Sequence, residues 1–212
     1  MQKVTVIITV WKRFKNLERL LGEWLKEPKV DEILIWDNSN TFVTELPVTV
    51  IRSSKNFGAS IRYILGGIVK NEIVLFVDDD MITQEGMVDD LLKYFKEDRI
   101  VGIWGRNFHG SYKGGFSDEY DSRKLTEPIK VDFIVGFLLM LHRDNLLQYY
   151  GDDPQEASEV CLQGRLKHLE RWVVPSRHWE HLEEQWDANA LSSKPEAERI
   201  KEEMYTKYFG TI

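Results

Sequence analysis

Ile73-Val74-Leu75-Phe76-Val77-Asp78-Asp79-Asp80 sets five apolar side chains in a row directly before three carboxylates. An unbroken β-branched and aromatic run of this length fits a strand buried on both faces, the habit of parallel sheets covered by helices. The acids then fall at the carboxyl end of that strand, the edge where open α/β sheets bind ligands. Side chains alternate along extended backbone, so Asp78 and Asp80 share a direction while Asp79 turns aside. Three adjacent carboxylates repel one another, and a bound cation relieves the repulsion. An oxygen-only set suits Mg²⁺ or Mn²⁺, which keep waters and bridge substrate phosphates. The plainer alternative is an acidic turn capping a helix that begins near Gln84.

Outward from this stretch the same pattern repeats. Val4 to Val10 is a second buried-strand run, and Phe14, Leu17, Leu20, Leu21, Trp24 and Leu25 recur at helical spacing until Pro28. Glu32 to Trp36 predicts a strand ending in the polar turn Asp37-Asn38-Ser39-Asn40, and Val48 to Arg52 a short one. Ile61, Ile64, Leu65 and Ile68 form a helical stripe; Val88, Leu91, Leu92 and Phe95 form another, before a strand over Ile100 to Trp104. Strands alternating with helices imply a doubly wound α/β sheet with right-handed crossovers. Asn107 to Glu127, rich in Gly, Ser, Asp and Tyr, reads as a long loop or a small hairpin. Val131 to Leu141 is strand-like but interrupted by Gly136. Asp153-Pro154-Gln155-Glu156 has the signs of a capped helix start, with the helix running to about His168. Trp172 to Val174 predicts a last strand, and the charged tail is expected to be helical from Pro195 onward. No repeat or linker divides the chain, so 1–212 reads as a single domain.

The 212 residues suffice for one sizeable core, and 42% apolar with 30% charged residues is ordinary globular composition. No apolar run approaches the roughly 20 residues that span a bilayer. With no signal-peptide pattern, a cytoplasmic location is expected, or a catalytic domain detached from a tether. Cys161 is the single cysteine, so neither an internal disulfide nor a cysteine zinc site is available. A net charge of -7 argues against broad phosphate-backbone binding while leaving room for one local basic groove.

With these segments in order, the sequence resembles GT-A-type glycosyltransferases, including the family 2 group and the exostosin-like enzymes. Val6-Ile7-Ile8-Thr9-Val10-Trp11-Lys12-Arg13 is similar to the opening nucleotide-binding strand and turn. Ile35-Trp36-Asp37-Asn38-Ser39 resembles the second strand, Asn56-Phe57-Gly58-Ala59-Ser60-Ile61-Arg62 the segment before the acidic motif, and Phe76 to Asp80 the D-x-D element. The resemblance implies the GT-A fold: a Rossmann-like, doubly wound mixed sheet flanked by helices, with residues 1–105 as the nucleotide-sugar half and 106–212 as the acceptor half. It implies a hexosyltransferase-like enzyme using a nucleotide-sugar donor, a UDP-sugar by expectation, with Mn²⁺ or Mg²⁺ as cofactor. Thr9, Trp11, Arg13, Asp37, Asn56, Arg62, Asp78 and Asp79 fall on the donor side. Asp80 is the expected metal ligand, with Asp78 on the ribose or assisting the metal. Arg13 and Arg62 would bring fork-like positive charge to the phosphates; the alternative for each is a surface ion pair. Asp37 would accept from the base, or else cap its own turn.

Many inverting members open a helix with two acids, the second a general base. Ser158-Glu159-Val160-Cys161-Leu162-Gln163-Gly164-Arg165 resembles that element, although Ser158 replaces the first acid and Glu159 stands where an Asp is usual. Glu159 is the candidate base and Glu156, three residues earlier, its capping neighbour; two solvated helix acids are the alternative. Glu159 favours inversion, whereas exostosin-like enzymes share the layout and retain configuration. His181, or alternatively His178, would complete the metal site. Gly136 and Phe137 would form the acceptor floor, and Trp104, Trp179 or Trp186 would stack on a sugar or base. The acceptor is a glycan or a hydroxylated base in DNA, the latter requiring a basic rim from Lys113, Arg123, Lys124 and Lys130. Competing readings are a nucleotidyltransferase, against which Trp11-Lys12-Arg13-Phe14-Lys15 lacks a glycine-rich loop, and a non-catalytic nucleotide-sugar-binding protein.

Overall fold

The computed structural model describes residues 2–109, 112, 116–147, 158–182 and 196–210. In chain order the backbone forms β1 (Val4–Val10), α1 (Phe14–Trp24), β2 (Val30–Asp37), β3 (Thr49–Arg52), a 3-10 helix (Ser60–Gly67), β4 (Ile73–Asp78), β5 (Met81–Thr83), α2 (Met87–Leu92) and β6 (Arg99–Gly102). There follow β7 (Trp104–Phe108), β8 (Phe116–Asp121), a second 3-10 turn (Ser122–Lys124), β9 (Ile129–Lys130), β10 (Phe133–Ile134), β11 (Leu138–His142) and α3 (Arg143–Leu146). The chain closes with α4 (Ser158–Arg165), β12 (Glu170–Val173), β13 (Trp179–His181) and α5 (Ala197–Phe209).

Eight strands make one sheet in the order β3-β2-β1-β4-β11-β6-β12-β9. Alternation sorts the two faces. On β1, Val4, Val6, Ile8 and Val10 enter one core with α1 and α2, while Ile7 enters the other with the long 3-10 helix and α4. On β4, Ile73, Leu75 and Val77 face the first core, and Val74 and Phe76 the second. Both strands are buried on both faces, as the unbroken apolar run of β4 and the apolar-rich run of β1 lead one to expect.

The sheet is mixed because β11 runs antiparallel between β4 and β6, with Leu138 opposite Val77 and Leu141 opposite Val74. This reversal has a functional consequence. It brings the start of β11, where Gly136 ends the preceding run, to the carboxyl end of β4, and the Asp78 N–H donates to the Phe137 carbonyl at 2.9 Å.

Several expectations change in detail. The acidic triplet does not cap a helix: it leads into β5, and α2 starts after Gly86 at φ 98°, with no side-chain cap. The stripe over 61–68 is a 3-10 helix that leaves Ile64 and Ile68 46% and 61% exposed. The run from Ile100 to Trp104 breaks at Ile103 into β6 and β7, and Val131 to Leu141 breaks into β10 and β11. The 107–127 segment contains the hairpin partner β8, paired with β7. The expected helix start at Asp153 to Glu156 lies outside the described residues, and α4 ends at Arg165, short of His168. Among the described residues, no helix is long and apolar enough to cross a membrane.

Candidate active site

β1 and β4 end side by side, with Thr9 opposite Asp78. The chain leaves β1 through Trp11 and Lys12, and the positive φ of Lys12, 67°, turns it back toward the triplet. Arg13 follows. Its Nη1 lies 2.6 Å from Asp80 Oδ2 and 3.1 Å from Asp79 Oδ1. Arg62 arrives from the long 3-10 helix; it is 3% exposed, and its Nη1 donates to Asp78 Oδ1 at 2.5 Å. Its Nη2 reaches the Gly136 carbonyl at 3.2 Å and the Tyr63 hydroxyl at 3.3 Å. Neither arginine is a surface ion pair. Three carboxylates thus face two guanidiniums at the strand tip.

Burial pushes Asp79 up to about 7, against Arg13 and helped by the neighbouring Asp80 and Asp78 charges. Burial likewise raises Asp78, against Arg62. Asp79 also accepts from the Trp11 backbone N–H. The expected pairing of Asp78 with Asp80 is not what the contacts show: Asp79 and Asp80 share Arg13, and Asp78 meets Arg62. Thr9 Oγ1 is buried at this edge and has no hydrogen-bond partner among the described residues.

β13 pairs antiparallel with β5, His181 opposite Met81, and the Leu182 N–H donates to the Asp80 carbonyl at 2.8 Å. That register carries His181 to the residue following the triplet. Its Nδ1 is buried and finds no partner among the described residues. Burial lowers its pKa, with the nearby Asp80 charge pulling the other way. His178 stands elsewhere: its ring faces Gly86, and its Nε2 lies 3.8 Å from Asp90. Beside His181 an aromatic wall rises. Phe137 meets its ring edge-on at 4.6 Å between centroids, Trp179 at 5.4 Å, and Trp104 touches both Phe137 and Trp179. Glu119 accepts from Trp104 Nε1 at 2.7 Å and Ser122 from Trp179 Nε1 at 2.7 Å, which fixes both indoles. Trp186 lies outside the described residues. Among the described residues, no three His, Cys, Asp or Glu side chains are gathered to hold a metal by themselves.

Glu159 enters from the other side. A Cβ added to Gly136 would stand 3.3 Å from Glu159 Cβ and 3.3 Å from Arg62 Nη2, so the glycine lets α4, β11 and the Arg62 fork meet. Gln163, one turn further along α4, fixes the helix there: it accepts from Ile134 N–H at 2.9 Å and donates to the Ile134 carbonyl at 2.6 Å. Glu159 is therefore no solvated helix acid. Burial pushes its carboxyl up, but Lys201 of α5, 2.9 Å away, together with a backbone hydrogen bond and the Arg62 charge, holds it below the ordinary value.

Asp37 is fully buried, and its carboxylate accepts from Ser39 N–H, Ser39 Oγ and Phe42 N–H at 2.6–2.8 Å. It caps its own turn, the second of the two roles open from its sequence. Asn56 caps Gly58 N–H at 2.8 Å, and Asn38 ties that loop to β2 through Gly58 and Phe57. Asn38, Tyr63, Gln163 and Lys201 are functional neighbours that the sequence reading left out. For Lys201 a signal exists: it shares a helical face with Met204, Tyr205 and Tyr208 at i+3, i+4 and i+7, an odd place for a solvated lysine.

A family model described as glycosyl transferase family 2 matches residues 5–149. Among solved structures, the mannosyltransferase PcManGT from Pyrobaculum calidifontis, in complex with GDP-Man and Mn²⁺, is similar with a TM-score of 0.59 and 14% identity. The likeness covers 82% of this chain and 55% of that one, so the chain spans about half the length of the mannosyltransferase. At this identity it shows the fold alone. No curated protein matches the sequence.

Proposed function

The chain belongs to glycosyl transferase family 2, and from that premise we propose that it transfers a sugar from a UDP- or GDP-sugar to an acceptor hydroxyl. The carrying observation is the β5–β13 pairing, which sets His181, with its unpartnered buried Nδ1, beside Asp80. These residues fit a divalent cation, with Asp80 offering a carboxylate oxygen and His181 a ring nitrogen. Mg²⁺ and Mn²⁺ sites need only one or two protein ligands when phosphates and waters complete the shell, which accords with the absence of a three-residue cluster. When bound, such an ion supplies Lewis-acid relief of the charge on the departing diphosphate.

The other residues then take these roles. Asp78, oriented by Arg62, accepts from the donor ribose, and Arg13 adds positive charge where the phosphates approach. Thr9, Trp11 and Asn56 line the nucleotide side. Glu159 accepts the proton of the acceptor hydroxyl as that oxygen attacks the sugar carbon from the face opposite the diphosphate. General-base assistance of this kind is worth about 10²- to 10⁴-fold. Gly136 leaves room for the acceptor, while Phe137 and Trp104 offer apolar ring faces to a sugar. We favour a glycan over a base in DNA. Arg123 is paired with Asp121 at 2.7 Å and Lys130 with Glu170 at 2.8 Å, which removes two cations from the rim that DNA would need; Lys113 lies outside the described residues.

The test is incubation with UDP-glucose, UDP-N-acetylglucosamine and GDP-mannose, each with Mn²⁺ or with EDTA, following free nucleoside diphosphate. Release with Mn²⁺ and none with EDTA is expected. Pyrophosphate in its place would mean nucleotidyl transfer and overturn the reading.

A further inference from the structure

We propose that Lys201, on the last helix, is a positioning residue for proton abstraction: its ammonium holds the Glu159 carboxylate in place and balances its charge, making α5 part of the active site. The inference rests on Glu159 being the base, as argued above. Lys201 Nζ lies 2.9 Å from Glu159 Oε1, with the two side chains only 22% and 13% exposed. The Tyr112 hydroxyl is hydrogen-bonded to Lys201, so the ammonium is fixed from two sides.

The fold is built to allow this contact. A Cβ on Gly164 would lie 2.3 Å from Tyr208 Cβ, so only glycine lets α4 and α5 approach so closely. Glu159 meets Lys201 and, further along, Gly164 meets Tyr208, so the two helices run side by side in the same direction. Tyr205 anchors the pair by packing against Phe108, Tyr112 and Phe209.

The charged and titratable groups around Glu159 are Arg62, Tyr63 and Asp78 toward the sheet, and Lys201 and Tyr112 toward α5. Burial favours a neutral carboxyl. Arg62 favours the carboxylate from the sheet side but is shared with Asp78 and Gly136. Lys201, in direct contact, is the foremost group favouring the ionised form, and an ionised carboxylate is what a proton acceptor must be.

The experiment is a carboxyl titration by NMR in protein carrying ¹³C-labelled glutamate, with Glu159→Gln identifying the Glu159 signal. The wild-type midpoint should lie below 4.5. In Lys201→Met it should rise by about 1–3 pH units, the usual reach of an adjacent opposite charge, and Lys201→Arg should restore the low value. The acid limb of nucleoside diphosphate release from the donor chosen by the panel should move the same way. Equal midpoints in wild type and Lys201→Met would overturn the proposal, because a lysine that merely pins α5 changes stability and leaves the titration in place. Should Lys201→Met fail to fold, a wild-type midpoint at or above 4.5 overturns it equally. Full turnover by Glu159→Gln would instead sink the base assignment itself, whatever the titration shows.

Discussion

Replacing Arg62 by methionine separates a built site from a chance cluster of acids. The guanidinium is 3% exposed and makes bonds to three groups: Asp78 at 2.5 Å, the Gly136 carbonyl at 3.2 Å and the Tyr63 hydroxyl at 3.3 Å. Methionine keeps most of the apolar stem and removes all three. Removing one partner of a buried ion pair costs about 3–5 kcal/mol, because the remaining charge is left without compensation. Asp78 retains 32% of its side-chain surface, so cleft water eases part of that cost and the lower half of the range is expected. At about 2–4 °C per kcal/mol for a chain of this size, the melting temperature should fall by roughly 6–16 °C.

A companion variant makes the reasoning exposed to refutation. If the penalty is the stranded Asp78 charge, the double variant Arg62→Met/Asp78→Asn must be more stable than Arg62→Met alone, since the second change removes that charge. Urea midpoints at constant slope give all four corners of the cycle. A single variant within about 0.5 kcal/mol of wild type, the range of an ordinary surface substitution, or a double variant no better than the single, would refute the account.

Asp80→Ala should abolish Mn²⁺-dependent binding of UDP or GDP by calorimetry, and unchanged affinity would remove Asp80 from the metal site. Asp37→Asn should cost about 1–3 kcal/mol at neutral pH by leaving backbone donors of its turn facing an amide. Because the hydrogen bonds outweigh burial and hold Asp37 below 3.8, its stabilisation is present above that pH and is lost as pH falls through the lower folded value. The gap in urea midpoint between wild type and variant should therefore be full at pH 7 and shrink below about pH 4; a pH-independent gap would contradict it. Gly164→Ala should lose about 1–3 kcal/mol in thermal unfolding by overpacking against Tyr208; an unchanged melting temperature would show that α5 does not pack there as described.

The parallel half of the sheet was legible because strands buried on both faces leave an unmistakable mark: β4 is apolar at every position before Asp78, and β1 at all but Thr5 and Thr9. Direction leaves no such mark. Leu138 to Leu141 would read the same in a parallel or an antiparallel strand, so the insertion of β11, and with it the meeting of Gly136 and Asp78, is visible only in three dimensions. At 3.6 residues per turn Ile61, Ile64, Leu65 and Ile68 gather on one face, which is why the stripe over 61–68 pointed to an α-helix and gave no hint of its tighter winding. The motif favoured His181 over His178 only slightly; a three-residue strand brings His181 beside the triplet through its register, while His178 faces Gly86. Lys201 was lost for another reason. Its partner is 42 positions earlier in the sequence, and no local pattern joins a lysine in a tail helix to an acid at the start of another.

On the proposed reading, the arrangement of charge accounts for one cleft serving both a donor and an acceptor. Arg13 and Arg62 face the three carboxylates, and the raised Asp78 and Asp79 take up protons readily, which further limits the negative charge at the tip. A divalent ion alone would arrive at a tip already largely neutralised, and gain little. A diphosphate alone would meet the carboxylates. On the proposed reading, ion and diphosphate would offset each other's charge, and Asp80 and His181 would supply the protein's places in the shell. Across Gly136, Lys201 pairs with Glu159 at 2.9 Å, which favours an ionised carboxylate at the proposed base. The two sides still feel each other: Arg62 favours the Glu159 carboxylate, and the Glu159 charge raises Asp78. On the proposed reading, the glycine between them is where donor carbon and acceptor hydroxyl would meet.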